Sequence, residues 1–298
     1  MKKSYFSIIL MSSMLLLSGC GGSDSDDSNN GQNTGGNNSG GNNNGGSTTT
    51  TGDWTNEDAV NWITHSAVSV VLPEQFLDEL IVDTDGFIFN EAECSSGSYT
   101  NTNNTVTFNN CKTNFLDDDG VILSGKVSYS FSDSDESFSY SNFNLIFPDN
   151  SEAVINGKVD FVLDSDTTTI VKIDDLKVVS DETYDGKSYS MTTALSDYTS
   201  TWNFISDGNF SIEASGTLAV IDSPFDDFAI KFNTTDVNRF NNSINPYDGG
   251  LKVVDANNAK NYSILDYNND AATLLYQSYA NDKLVINRTL SWENVYDF

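Results

Sequence analysis

The chain has 298 residues and carries 14 Lys and Arg against 43 Asp and Glu, which gives a formal net charge of -29 at pH 7. Nucleic acid and anionic lipid surfaces repel so acidic a body, so the composition argues against nucleic acid as a partner. The length allows one large all-β domain or two small ones, and we interpret residues 54–298 as one folding unit.

The chain starts with the pattern of an export signal. Lys2 and Lys3 precede an apolar run from Phe6 to Leu17. This run is too short to span a bilayer and is typical of a secretory leader. Its end, Leu17-Ser18-Gly19-Cys20, resembles the lipobox of bacterial lipoproteins.

The lipobox resemblance has consequences for processing and location. It implies that residues 1–19 are a signal peptide that is removed, and that Cys20 becomes the acylated (palmitate-bearing) N-terminus. The lipid then holds the protein to a membrane. Gly21 stands where an inner-membrane retention signal would have aspartate, so the resemblance implies the outer membrane, on its periplasmic face or at the cell surface.

Residues 20–53 are predicted to form a tether. Behind Cys20 the sequence consists mainly of Gly, Asn, Ser, Thr and Asp. Such a composition cannot bury a core and behaves as a flexible spacer. As a random coil it would have an r.m.s. span of roughly 30 Å.

Residues 54–86 are predicted to form a helical cap. Val60, Ile63, Ala67 and Val71 recur at helical spacing. Thr55 is the expected N-cap. Pro73 is expected to end this helix, and a second short turn is expected over 74–80.

Residues 87–298 are predicted to form strands. Val127, Tyr129 and Phe131 alternate with serines, and this period of two marks half-buried antiparallel strands. Glycines interpreted as opening strands recur roughly every 30 residues: Gly97, Gly125, Gly157, Gly186, Gly216 and Gly249. We therefore expect a mostly β fold, a long antiparallel meander that curls into a half-barrel or closes into a barrel.

The cysteine count predicts a disulfide. With Cys20 acylated, Cys94 and Cys111 remain as a pair in an oxidising compartment. A turn over 101–104 would pair Thr100 with Thr105 and set Cys94 opposite Cys111. Two separately buried thiols are the alternative.

A second resemblance covers this region. The segments 94–98, 106–111 and 123–127 resemble a hairpin found in uncharacterised exported lipoproteins of gammaproteobacteria. The resemblance implies an exported β domain, and it brings no activity with it.

The chemistry-bearing residues are few. His65 is the only histidine, which argues against a catalytic triad and a histidine metal cluster. Hydrolysis by a carboxylate pair stays open, because any two of the 43 acids can meet across strands. Asp117, Asp118 and Asp119 are a candidate calcium turn, with an ordinary solvated turn as the alternative.

Aromatic residues supply the remaining candidates. Core packing is the simplest interpretation of aromatic residues at alternating strand positions, and the alternative is that Tyr99, Tyr129 and Tyr140 line the concave face for a sugar or lipid ligand. At the C-terminus, the alternation that ends at Phe298 resembles the signal of outer-membrane barrels, although Asn294 breaks it.

These observations predict a lipid-anchored cell-envelope lipoprotein that acts as a ligand-binding or assembly module for a small-molecule or protein ligand. The sequence has no G-x-S-x-G elbow, H-E-x-x-H, P-loop or Rossmann glycine pattern. A glycosidase-like hydrolase using carboxylates is the first alternative, and an outer-membrane β-barrel is the second.

Overall fold

The computed structural model describes residues 52–71, 76–116, 118–184, 187–206, 208–241, 245–268 and 272–296. The leader, Cys20 and the tether as far as residue 51 lie outside the described residues, as do Pro73, Asp117, Gly186 and Phe298.

Two helices open the described fold, α1 (Glu57–Val71) and α2 (Phe76–Ile88). The side-chain oxygen of Asn56 caps α1 by accepting hydrogen bonds from the backbone N–H groups of Asp58 (2.9 Å) and Ala59 (3.3 Å). The prediction of Thr55 as the cap is therefore wrong, because its side chain instead donates to Asp53. None of the described helices is both long and apolar enough to cross a membrane.

The predicted apolar face of α1 is confirmed. Val60, Ile63, Ala67 and Val71 are all buried. α2 reaches Ile88, further along the chain than the short predicted turn. Each of the two helices thus packs one of its faces into the core.

Every strand pairs with the next in the chain, which confirms the predicted antiparallel meander. The strands are β1 (Ser96–Thr102), β2 (Thr105–Phe115), β3 (Asp118–Phe131), β4 (Asp135–Ile146), β5 (Glu152–Ser165), β6 (Thr168–Tyr184), β7 (Lys187–Ser206), β8 (Asn209–Ile221), β9 (Phe228–Asn241), β10 (Asp248–Asp255), β11 (Tyr262–Tyr267), β12 (Thr273–Ala280) and β13 (Lys283–Ser291). Over the described residues β1 and β13 are the free edges, so the sheet is open.

The sheet curls around the helices. Thirteen strands laid flat would span roughly 60 Å, whereas a helix is only about 10 Å wide. Yet strands from β2 to β13 contribute buried side chains to one apolar core that includes both helices. On this inner side, the Tyr198 hydroxyl of β7 donates to the Val70 carbonyl (3.0 Å), and Thr64 donates to Ser263 of β11 (3.1 Å). The helical segment therefore fills the curl.

A row of register shifts crosses the sheet, and we call this row the crease. The shifts fall between Phe108 and Cys111, Ser124 and Lys126, Tyr140 and Phe143, Gly157 and Asp160, Ser196 and Thr199, and Ile212 and Ser215. Each shift resets which side chains point inward and bends its strand. The crease therefore lets long strands follow the curl.

Gly97 and Gly249 lie at the start of β1 and β10, as predicted, whereas Gly125 and Gly157 belong to this crease. Gly125 lies in the middle of β3 and Gly157 in the middle of β5, so the prediction that they open strands is wrong. Gly125 has a φ of 100°, and a Cβ there would overlap the carbonyl group of Asn142 on the neighbouring strand. Only glycine fits so close an approach of two backbones.

The disulfide is present, although the predicted hairpin register is wrong. The turn contains only Asn103 and Asn104, with φ values of 52° and 56°, so Thr102 pairs with Thr105. Asparagine tolerates this left-handed conformation, which a two-residue hairpin turn requires. Cys94 precedes β1 and still reaches Cys111, with their Cα atoms 5.1 Å apart.

The C-terminal segment departs from the predicted alternation. β13 ends at Ser291, and Trp292–Tyr296 form a short helix, α3. The Ser291 hydroxyl accepts a hydrogen bond from the Asn294 backbone N–H (3.3 Å) at its start. Trp292 is buried against Tyr267, with ring centroids 5.0 Å apart. The strand prediction is therefore wrong for Trp292–Tyr296.

Candidate functional site

The inward face of the β3–β4 hairpin is apolar until its last pair. Pairing sets Val127 opposite Tyr140, Tyr129 opposite Phe138, and Phe131 opposite Glu136. Because side chains alternate along a strand, Glu136 points to the same side as Phe138 and Tyr140. An acidic residue therefore ends an aromatic inner face at the tip of the hairpin.

α2 lies over this part of the sheet. The Phe87 ring makes edge-to-face contacts with Tyr99 and Phe108, each with centroids 5.0 Å apart. The Asn101 amide donates to the Ile88 carbonyl (2.8 Å), and an Asp83 carboxylate oxygen accepts the Leu116 backbone N–H (2.5 Å). These contacts fix α2 over β1 and β2.

The carboxylates of Asp85 on α2 and Glu136 on β4 lie near enough for their charges to interact. Burial raises the pKa of the Asp85 carboxyl to about 7, and repulsion from Glu136 adds to this shift. Burial also raises the pKa of Glu136. One oxygen of Asp85 is buried without a hydrogen-bond partner among the described residues.

Tyr140 lies near Asp85 on the inner side of the sheet. Its side chain is 3% exposed, and its hydroxyl has no hydrogen-bond partner among the described residues. Burial raises the pKa of Tyr140, and the nearby Asp85 charge raises it further. An interaction with the nearby Thr84 hydroxyl partly offsets this rise in the pKa of Tyr140. The Thr84 hydroxyl itself donates to the Leu80 carbonyl (2.5 Å).

An exposed aromatic pair lies beside the carboxylates. Phe89 and Phe131 are stacked with centroids 5.7 Å apart, and they are 55% and 41% exposed. The Phe89 backbone N–H donates to the Asp85 carbonyl (2.9 Å), one helical turn away. We call the group of Asp85, Phe89, Phe131, Glu136 and Tyr140 the mouth.

The three predicted tyrosines lie beneath α2. The Tyr99 hydroxyl donates to the Ala92 carbonyl (3.2 Å), and the Tyr129 hydroxyl donates to the Asn101 side chain (3.0 Å). The Tyr129 ring supports Phe131 at 5.3 Å between centroids, and Tyr140 is in the core. Because α2 occupies the concave side, these tyrosines do not form an open platform. Only Tyr140 belongs to the mouth.

The candidate calcium turn is not a turn over its described part. Asp118 and Asp119 begin β3, where they pair with Phe115 and Asn114. Throughout the described ranges, no group of three or more His, Cys, Asp or Glu side chains is placed to hold a metal ion. Calcium binding near Asp117 stays a prediction.

His65 lies on α1, half-buried, and burial lowers its pKa.

Near it, a buried set of hydroxyls joins α1 to the sheet. Thr64 lies 3.3 Å from the Tyr276 hydroxyl, and Ser263 donates to Ser278 (3.2 Å). Burial raises the pKa of Tyr276 to about 12. These groups satisfy one another, so we interpret them as anchoring α1.

Sequence reasoning missed most of the mouth, although one signal was present. The period of two already places Glu136 on the face of Phe138 and Tyr140, where an acidic residue is out of place. No comparable signal marks Asp85 or Phe89. Over the described residues, the chain's three ion pairs lie elsewhere: Lys158–Asp160, Arg239–Asp248 and Arg288–Glu57.

The mouth thus combines two partly buried acids, a buried phenol and an exposed aromatic surface. This arrangement suits a ligand that has both a polar and an apolar part. The chain matches no protein-family model, no curated protein and no solved structure.

Proposed function

We propose that this chain is a lipid-anchored protein of the cell envelope that binds a small ligand at the mouth. The observation that carries the binding function is the stacked pair of Phe89 and Phe131, exposed beside two partly buried carboxylates. Exposed aromatic surface next to a few convergent polar groups is typical of ligand sites. The lipobox sequence at Cys20 supports the location.

The binding role is tested with Nile red, a neutral apolar fluorescent probe. We expect Phe89→Ala and Phe131→Ala each to weaken Nile red binding about tenfold, because each removes one face of the aromatic pair. Ile205→Ala is the matched control, since Ile205 is an apolar side chain 71% exposed and outside the mouth. Equal Nile red affinities for the wild type and both phenylalanine variants would contradict the proposal.

Hydrolysis is the second candidate, favoured by the raised pKa of Asp85. A carboxyl kept protonated near neutral pH is what a general acid needs, with a second carboxylate as its partner. Binding is favoured over it because binding accounts for the exposed aromatic pair, Phe89 and Phe131, as well as for the carboxylates. A hydrolase would release nitrophenol from a panel of nitrophenyl glycosides and lose this activity in Glu136→Gln.

The anchor is tested by fractionation of cells. We expect Cys20→Ser to leave a soluble or uncleaved product, because the acylated thiol is lost. Deletion of 31–51 should keep both the lipid and the folded domain, because the tether has no apolar side chain to bury. A Cys20→Ser protein that stays membrane-bound after losing its leader would refute the lipid anchor.

A further inference from the structure

We propose that the mouth recognises a primary ammonium group carried on an apolar chain or ring. The ammonium group inserts between Asp85 and Glu136, and the apolar body packs on Phe89 and Phe131. This inference rests on the binding function proposed above and adds the chemical class of the ligand.

The unpaired acceptors of the mouth are the first support. A buried oxygen of Asp85 and the hydroxyl of Tyr140, a side chain only 3% exposed, have no hydrogen-bond partner among the described residues. Buried polar groups are normally satisfied, so two neighbouring polar atoms without a hydrogen-bond partner point to a missing ligand group. A primary ammonium has three donors, enough for both carboxylates and the phenol oxygen.

The charge balance is the second support. Two neighbouring carboxylates in a partly buried site repel each other unless one of them is protonated or a cation compensates them, and at pH 7 a bound cation would favour the charged form of both. Over the described residues, no ion pair involves Asp85 or Glu136. The net charge of -29 further attracts cations and disfavours anions.

The layout of the mouth is the third support. Phe131 lies directly opposite Glu136 on the paired strands, and Phe89 follows Asp85 by one helical turn. In each of these two pairs, the Cβ atoms of the acid and of the phenylalanine are within about 6 Å of each other. Each acid therefore has an aromatic ring beside it, so the charge and the apolar body of one small amphiphile reach both groups at once.

The test compares four eight-carbon probes as competitors of Nile red at pH 7. We expect octylammonium to bind at least about tenfold more tightly than 1-octanol, the equivalent of one charge-assisted hydrogen bond. Octanoate should bind more weakly than 1-octanol. Octyltrimethylammonium should lose most of the advantage, because it has the charge but no donor.

Two conservative variants locate the effect. In Asp85→Asn and in Glu136→Gln, the preference for octylammonium over 1-octanol should fall to within about twofold. Asp133→Asn is the matched control, since Asp133 is exposed in the turn of the same hairpin.

The outcomes separate this inference from the proposed function. If 1-octanol competes with Nile red and octylammonium is no better, the amine inference is overturned and the binding function stands. Equal affinity for octylammonium and octyltrimethylammonium would also overturn it, because general charge attraction then explains the result. If no probe competes and Phe131→Ala has no effect on Nile red, the binding function itself fails.

Discussion

At the residue scale, Asp85 makes folding depend on pH. Its pKa rises from 3.8 to about 7 on folding, so between these values the folded state holds a proton that the unfolded state has lost. The contribution is fully present below pH 3.8 and is lost as the pH rises toward 7. The shift corresponds to at most about 4 kcal/mol. The titratable groups that interact with Asp85 are Glu136 and Tyr140, both on β4.

Asp85→Asn should remove this dependence. Between pH 5 and pH 8 we expect the free energy of unfolding of the variant to rise by about 2 kcal/mol relative to the wild type, because an amide does not ionise. Urea denaturation at both pH values measures the difference, and Asp133→Asn serves as the exposed control. Parallel pH profiles for wild type and Asp85→Asn would contradict the burial of this carboxyl.

The disulfide gives a second prediction at this scale. The free energy of unfolding of the double variant Cys94→Ser, Cys111→Ser should be about 3 kcal/mol lower than that of the wild type, because the bond closes a loop in the unfolded chain. The two cysteines are 17 residues apart. Wild type melted with a reductant should match the variant. A peptide map of oxidised protein in which Cys94 appears without Cys111 would disprove the pairing.

At the scale of elements, the crease is what makes long strands compatible with a curl. β7 alone has 20 residues. A strand of this length cannot stay regular and also bend around a helix, and bulges supply the bend. The glycines accept backbone positions that a side chain would block.

Gly125→Ala should therefore be strongly destabilising. We expect it to lower the free energy of unfolding by more than about 2 kcal/mol, since the φ value and the overlap with Asn142 act together. Ser130→Ala, an exposed position on the same strand, should change it by less than about 0.5 kcal/mol. Urea titrations compare the two variants, and similar small losses would show that the crease is not built as described.

At the scale of the whole molecule, the helices and the sheet share one core. Ile63 of α1 is fully buried in the same cluster as Phe138 of β4 and Leu274 of β12. Among the described residues, the helices and the inner face of the sheet cover each other, and no other element covers either of them. We therefore expect 54–298 to unfold as one cooperative unit.

Ile63→Ala tests this coupling. We expect a loss of about 2 to 5 kcal/mol in the free energy of unfolding, with far-UV and tryptophan signals still changing in one transition. Glu57→Gln is the control, because the exposed Glu57–Arg288 ion pair contributes less than about 1 kcal/mol. Two separate transitions in the Ile63→Ala protein would mean that the helices and the sheet are independent units.

Local patterns allowed much of the fold to be predicted. The alternation at Val127, Tyr129 and Phe131 depends only on which face of a strand is buried, so it can be read without knowing the partner strand. Errors arose where two local solutions compete: Asn56 caps α1 instead of Thr55, and Asn103 with Asn104 makes a shorter turn than expected.

The sequence by itself determined the meander, the amphipathic α1, the glycine period and the pairing of the two cysteines, because each depends on neighbours along the chain or on a simple count. Only the tertiary structure decided that α2 fills the curl and brings Asp85 to Glu136, and that Phe89 stacks on Phe131. These residues lie far apart in sequence, and their meeting depends on the curvature and register of the whole sheet. The curvature is a sum over many bulges, which no single stretch of the chain encodes.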